Sequence, residues 1–273
     1  MRRWLDEGAT RQAWCQFYAT DRPLPAFQDN YIWAIATDDG RALLVDPGQA
    51  EPVLEAAAQG LQPAAILLTH HHDDHIGGVA ALRERWPDLP VYAPDDPRIA
   101  GFSCERVGDG DAVKVLDWQF DTLAVPGHTR SHLAYVGQGH LFSGDTLFSL
   151  GCGRMFEGTP SQMLGSLQRL SALPGQTLVC CGHEYTLANA AFAVTVDPTN
   201  AALRQRHQEA QAMRHAARPT VPVTLASELA TNPFLRTASA AIQQAIGARL
   251  GRGVSDEVEV FAELRRWKDD FRA

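Results

Sequence analysis

No run of about eighteen or more apolar residues occurs in this chain of 273 residues, so the sequence offers no transmembrane helix. The opening residues carry Arg2 and Arg3 but lack the apolar core of a secretory signal. Residues 1–22 read as a polar or partly helical extension, and the protein as cytoplasmic. Positive charge is scarce: 24 Lys and Arg stand against 32 Asp and Glu, a net charge of -8. That balance excludes general nucleic-acid binding, which depends on neutralising phosphates, and requires any anionic ligand to find a local cationic patch. The five cysteines, Cys15, Cys104, Cys152, Cys180 and Cys181, are odd in number and form no C-x-x-C, which argues against a disulfide framework. Cys180 and Cys181 close the apolar run Leu178-Val179 and read as small buried hydrophobes. There is no internal repeat or low-complexity tract.

What is present is ordinary in bulk: 45% apolar and 21% charged residues, enough for one large domain and a smaller one with ample core. A monomer is the default expectation. From Tyr31 short apolar runs alternate with helical stretches. Tyr31–Ala36 and Ala42–Val45 read as paired strands across Asp38-Asp39-Gly40. Further strands are expected at Ala64–Leu68, Val91–Ala93, Ala112–Leu116, Gln119–Val125, Leu133–Val136, His140–Phe142 and, last, Thr177–Cys180. Helices are expected at Glu51–Gln59, at about Gly77–Arg85, and from Thr159 to about Ala172. In the last of these, cap, first-turn proline and capping-box glutamine occur together in Thr159-Pro160-Ser161-Gln162. After Tyr185 strand signals nearly vanish. Helices are predicted over Leu187–Val194, Pro198–Ala217 (capped by Asp197), Ala238–Leu250 and Ser255–Phe271, giving domains of 23–185 and 186–273.

The chemistry concentrates in Thr69-His70-His71-His72-Asp73-Asp74-His75, an H-x-H-x-D-H array directly after the apolar run Ala64–Leu68. Imidazole and carboxylate suit zinc, iron or manganese. These ligands are too close in sequence to face one ion without strain. The spacing turns His70 and His72 to one ion and Asp74 and His75 to a second. Three further candidates each follow an apolar strand and a glycine: His128, Asp145 and His183. Loops at the ends of neighbouring strands can converge on one sheet rim. The resulting assignment gives His70, His72 and His128 to the first ion and Asp74, His75 and His183 to the second, with Asp145 as the bridge. His132 is a candidate for orienting a ligand. His71, His140, His207 and His215 read as structural or solvated.

These motifs resemble the metallo-β-lactamase superfamily and, within it, glyoxalase II, the hydroxyacylglutathione hydrolases. The resemblance runs from about Leu24 to the C-terminus. It rests also on Phe27-Gln28-Asp29-Asn30-Tyr31, Val45-Asp46-Pro47-Gly48, the segment 151–159 (Gly151 to Thr159), Cys181-Gly182-His183-Glu184-Tyr185-Thr186, Asn232-Pro233-Phe234 and Arg265-Arg266-Trp267-Lys268-Asp269. It implies an α+β chain built as a four-layer αβ/βα sandwich with a helical C-terminal domain. It further implies two divalent metal ions, zinc foremost, and hydrolysis of a glutathione thioester such as S-D-lactoylglutathione to glutathione and D-lactate in methylglyoxal detoxification. The matching substrate contacts are Arg154, Tyr185, Arg265 and Lys268, with Asp74 and Asp145 catalytic. Phe156 departs from a tyrosine found in some members and lacks the phenolic hydrogen bond. The alternatives are a glutathione persulfide dioxygenase or a lactonase on the same scaffold, or a non-catalytic metal- or thiol-binding module.

Overall fold

The computed structural model describes residues 22–272, so the expected N-terminal extension lies outside the described residues apart from Arg22, which opens the first strand. Among the described residues two six-stranded sheets face each other. The first runs in order β1 (Arg22–Ala26), β2 (Asn30–Ala36), β3 (Arg41–Val45), β4 (Gln62–Leu67), β5 (Val91–Pro94) and β6 (Glu105–Val107). Its first three strands are antiparallel and the rest parallel. The parallel part needs crossovers, supplied by α1 (Glu51–Ala58) between β3 and β4 and by α3 (Val79–Arg85) between β4 and β5. The one-turn α2 (Asp73–Ile76) precedes α3.

The second sheet comprises β7 (Ala112–Val115), β8 (Trp118–Ala124), β9 (Leu133–Gly137), β10 (His140–Gly144), β13 (Leu178–Cys181) and β14 (Val223–Thr224). Between β10 and β13 come the small hairpin β11 (Leu147–Phe148) with β12 (Gly151–Cys152), and then α4 (Pro160–Ser171). Helix α4 starts with the expected reciprocal cap, Thr159 and Gln162 each satisfying the other's backbone N–H.

Strand alternation builds the layers. Tyr31, Trp33 and Ile35 of β2 point between the sheets with Leu43, Val45 and Leu67, meeting Val113, Phe120, Tyr135 and Phe142 from the second sheet. The alternate residues Ile32, Ala34, Leu44 and Ile66 face Val53 of α1 and Val79 and Leu82 of α3. On the far side, Val125, Ala134, Leu141 and Val179 pack on Met163, Leu167 and Leu170 of α4. The four-layer αβ/βα sandwich is therefore present as expected.

Past Tyr185 the chain forms α5 (Thr186–Val196), α6 (Ala201–His215), α7 (Leu225–Thr231), a 3-10 turn (Pro233–Leu235), α8 (Ala240–Leu250) and α9 (Glu257–Asp270). These bury Phe192, Phe234, Ile242, Val260, Phe261 and Leu264 against the outer face of the second sheet and α4. Two expectations are corrected here. Thr177–Cys180 is not the last strand, because Val223 and Thr224 pair antiparallel with β13 and extend the sheet from within the helical region. Nor does Asp197 cap the following helix: Asn200 does, its side chain accepting from Leu203 N, while Asp197 takes Arg236 and the Asn200 amide. Strands β1 and β6 were not expected either.

Candidate metal centre

The loops that follow β4, β8, β10 and β13 meet on one rim, where the chain moves from β4 into α2. Residues 70–72 lie outside any helix or strand and the helix begins at Asp73, with His72 extended as its N-cap at φ -64 and ψ 144. Extended backbone puts residues two apart on one side, which aligns His70 with His72; the helical turn then swings Asp74 and His75 away. The spacing expected to serve two ions has this local cause.

His70 Nε2 and His128 Nε2 each lie 3.1 Å from His72 Nδ1. In the second group, Asp74 Oδ2 is 3.5 Å from His75 Nε2 and 3.4 Å from His183 Nε2. Between the groups stands Asp145. Its Oδ1 is 3.4 Å from His75 Nε2, and its Oδ2 is 3.4 Å from His128 Nε2 and 3.3 Å from His183 Nε2. Ligands about 2.0–2.1 Å from one tetrahedral ion sit about 3.3–3.4 Å from each other. The donor spacings match that edge length. Buried His75 Nε2 and Asp145 Oδ1 have no hydrogen-bond partner, an arrangement that a shared cation satisfies. The chain thus carries a binuclear site of histidine and aspartate clusters, and all seven side chains singled out in the sequence meet there.

Most of the imidazoles have the other nitrogen engaged. His75 Nδ1 donates to Asp46 Oδ2 at 3.0 Å, and His183 Nδ1 to Asp29 Oδ1 at 2.8 Å. His128 Nδ1 donates to the Arg154 carbonyl at 2.8 Å, and His70 Nδ1 lies 3.0 Å from Thr69 Oγ1. Asn30 Nδ2 donates to Asp74 Oδ2 at 2.9 Å. His132 Nε2 accepts from Asp145 N at 3.1 Å, which gives it the orienting part considered for it.

The motifs that contain Asp46, Asp29 and Asn30 do not by themselves assign these residues a role. Asp46 carries a detectable signal, being a carboxylate at the end of an apolar strand before a turn, as Asp145 is. Its φ of 53 is in the left-handed region, which turns the carboxylate under the histidine loop. Asp29 and Asn30 arrive through a bridge between the sheets: Tyr31 N donates to Gly182 O and Glu184 N to Asp29 O, both at 2.8 Å. Gly144, at φ 47, precedes Asp145 where a Cβ would lie 2.5 Å from Thr69 Oγ1, so only glycine passes.

The two trios differ in charge. Burial holds His70 well below the usual histidine range, lowers His128, and takes His72 down to about 4, so these rings are neutral and ready to donate. Burial works against imidazolium at His75 and His183 too, but there carboxylates override it. Asp145 and Asp46 raise His75 well above its ordinary value, and Asp145 and Asp74 raise His183 to about 10. Asp145 is held well below the carboxylate range by His75 and His183 against the cost of its burial. Cation uptake at the second trio therefore releases protons, whereas the first trio has few to lose.

Aromatic and cationic groups border the site. Tyr185 stacks on His183 with centroids 4.7 Å apart and planes 6° from parallel. Phe156, 65% exposed, sets its ring 5.7 Å from His72 and 5.2 Å from His128. Arg154 is 61% exposed and pairs with Asp269. Arg265 is 5% exposed, donating from Nη1 to Cys152 O at 2.8 Å and from Nη2 to Asp269 Oδ1 at 3.0 Å. Lys268 is half-buried, and burial, then the neighbouring Arg265 and Arg154, lower its pKa. Cys152, Cys180 and Cys181 are buried, in line with the packing role expected of the vicinal pair. No helix among the described residues is long and apolar enough to cross a membrane.

Comparison with known proteins agrees with this geometry. Residues 27–183 match the family model for the metallo-beta-lactamase superfamily, and residues 184–271 that for the hydroxyacylglutathione hydrolase C-terminus. The hydroxyacylglutathione hydrolase of Xanthomonas axonopodis pv. citri is 68% identical over 251 residues, covering 92% of this chain and 98% of the relative. The crystal structure of ETHE1 from Myxococcus xanthus superposes with a TM-score of 0.60 at 25% identity, covering 91% of this chain and 92% of that one. The BLEG-1 B3 metallo-beta-lactamase does so with a TM-score of 0.58 at 27% identity, covering 79% and 98%. By these matches along nearly its whole described length, the chain belongs to the hydroxyacylglutathione hydrolases of the metallo-beta-lactamase superfamily.

Proposed function

We propose that this protein hydrolyses S-(2-hydroxyacyl)glutathione thioesters, S-D-lactoylglutathione first among them, releasing glutathione and a 2-hydroxy acid such as D-lactate. This is the second step of methylglyoxal detoxification. The observation that carries the reading is the convergence of the seven donors at ligand-edge spacing, with Asp145 facing both trios. His70, His72 and His128 would hold one divalent ion and Asp74, His75 and His183 the other, with Asp145 placed to serve both. The nitrogen and oxygen donors favour zinc and accept iron or manganese. A pair of such ions lowers the pKa of a shared water towards neutrality and polarises a carbonyl.

The remaining work belongs to the chain. Asp74, kept ionised by His183, His75 and Asn30 against its burial, orients the attacking water or accepts its proton. Tyr185, flat on His183, and Phe156, beside His72 and His128, line the approach to the scissile bond. Arg154 and Lys268 offer the substrate's carboxylate a cationic seat on a protein that is otherwise negative, with the buried Arg265 behind them. The leaving group is a thiolate whose conjugate acid has a pKa of about 8.5, so no dedicated general acid is needed. The buried thiols of Cys152 and Cys181 suit a reducing, cytoplasmic setting.

The test is a thioester-hydrolysis assay on S-D-lactoylglutathione with metal analysis of the same sample. Turnover with two ions per chain is expected. Oxygen consumption with glutathione persulfide and no thioester cleavage would replace the hydrolase reading, and less than one ion per chain would favour a binding module.

A further inference from the structure

The carboxylate of Asp269 has a use beyond pairing at the surface. Its Oδ1 receives two guanidinium groups from different parts of the fold, Arg265 Nη2 at 3.0 Å and Arg154 Nε at 3.2 Å. Both arginines grip one short stretch of backbone, residues 152–154. Arg265 donates to the Cys152 carbonyl at 2.8 Å, and Arg154 is part of the stretch itself. That backbone supports the metal centre directly. The Arg154 carbonyl accepts from His128 Nδ1, which leaves His128 Nε2 facing the first trio. Gly153 N donates to Thr146 O, and Gly153 lies so close that a Cβ would be 1.9 Å from the Asp145 carbonyl oxygen and 3.2 Å from His128 Nδ1.

Asp269 forms an i,i+4 pair with Arg265, but the cation is N-terminal and the carboxylate sits in the last turn of α9 against the helix dipole, so helix stability gains little from it. Asp269 is also 40% exposed, so it fills no core space. What it does is fix two long cationic side chains on one point. Without it, Arg154 is a solvated side chain, and the stretch whose carbonyl orients His128 is tied to the C-terminal helix by an Arg265 that Asp269 no longer holds.

We propose that Asp269 is a positioning residue: through Arg154 and Arg265 it fixes the 152–154 backbone, and thereby His128, so that the C-terminal helix tunes the grip of the first trio on its ion. The inference rests on the ligand assignment above. It also couples the two halves of the site, since a substrate carboxylate drawn to Arg154 competes with Asp269 and reaches the same backbone.

The experiment is a Co(II) titration of the chelator-treated full-length protein, followed by ligand-field absorbance and chelator competition, with thermal melting of the same samples. Removing groups that orient a ligand typically weakens metal binding by about 10–100-fold; Asp269 acts one step further out. Asp269→Ala is therefore expected to weaken one of the two Co(II) ions by about tenfold and leave the other unchanged. Asp269→Asn, which keeps an acceptor oxygen, should recover most of that loss. Adding Asp269→Ala to Arg154→Ala should bring little further weakening, as expected for residues on one path. Two ions bound with wild-type affinity in Asp269→Ala overturn the proposal. So does equal weakening of both ions alongside a lowered melting temperature, which would mean general destabilisation. A wild-type protein that takes up fewer than two Co(II) ions would instead fail the ligand assignment.

Discussion

Asp145 presents its two oxygens to three imidazoles at 3.3–3.4 Å, and among the described residues no other carboxylate touches both trios so evenly. Asp145→Ala should therefore lower metal content below two ions per chain and abolish turnover; a fully metallated, active variant would remove it from the bridging position. Asp46 makes a finer case. Its oxygens accept from Thr69 N, Thr69 Oγ1 and His75 Nδ1, three donors for an acceptor-only group. In Asp46→Asn the amide N–H₂ faces the His75 N–H, and relief comes when the proton moves to Nε2, the nitrogen that must bind the ion. A loss of about 10–100-fold in affinity for one ion is expected by metal titration, and wild-type affinity would count against the tautomer argument. The seven proposed ligands were legible in the sequence because each carries its chemistry in its own side chain and lies in the segment after an apolar run. Asp46, Asp29 and Asn30 were not, because their roles exist only once β2 and β3 lie beside the histidine loop.

The elements that hold the rim are tied to one another by charge as well as by pairing. Asp96 and Arg98 follow β5, Ser131 precedes β9 and Glu157 follows β12. Asp96 accepts from Ser131 and Arg98, and Glu157 from Arg98 and the Arg130 N–H. His71, beside the ligands, lies between the two carboxylates at 3.6 and 3.8 Å. The Arg98 pair, against some burial, depresses Glu157 from 4.5 to about 2. A depressed carboxylate contributes stability that is whole above the unfolded value and is lost as pH falls through the folded one. Chelator-treated wild-type protein should thus lose melting temperature between pH 4.5 and about 2 more steeply than Glu157→Gln, and the two should converge at the acid end. Parallel curves would show that the latch contributes nothing to stability. At this scale the long, patterned elements were readable, α4 with its reciprocal cap above all. The short edge strands were not. β1 contains Pro23 and Pro25, which discourage a strand reading, and β14 has two residues that are a strand only because β13 is there to pair with.

For the whole molecule, the question is why a sandwich that already gathers seven ligands carries a helical region packed on its second sheet. The region supplies Arg265 and Lys268 from α9, and with Arg154 they form a cationic corner, beside Asp269, on a chain whose net charge is -8. An anionic substrate is repelled by most of that surface and drawn to this corner, so its capture depends on ionic strength. Lys268 makes a 3.4 Å contact to Ala188 O and lies over the Phe192 and Phe271 rings at 5.7 and 6.0 Å, so its removal strands no buried polar partner. Arg265 is the opposite: its removal strands the Cys152 carbonyl under α9, so Arg265→Ala should also lower the melting temperature. The clean probe of capture is therefore Lys268→Ala. It should raise KM about tenfold, the equivalent of about 1.4 kcal/mol, and leave kcat within about twofold, because binding shared by ground and transition states is what is lost. Added salt should raise KM for the wild type more than for the variant, which has less attraction left to screen. If KM and its salt dependence match the wild type, the corner is not the seat of the substrate carboxylate, and α9 serves the metal centre alone.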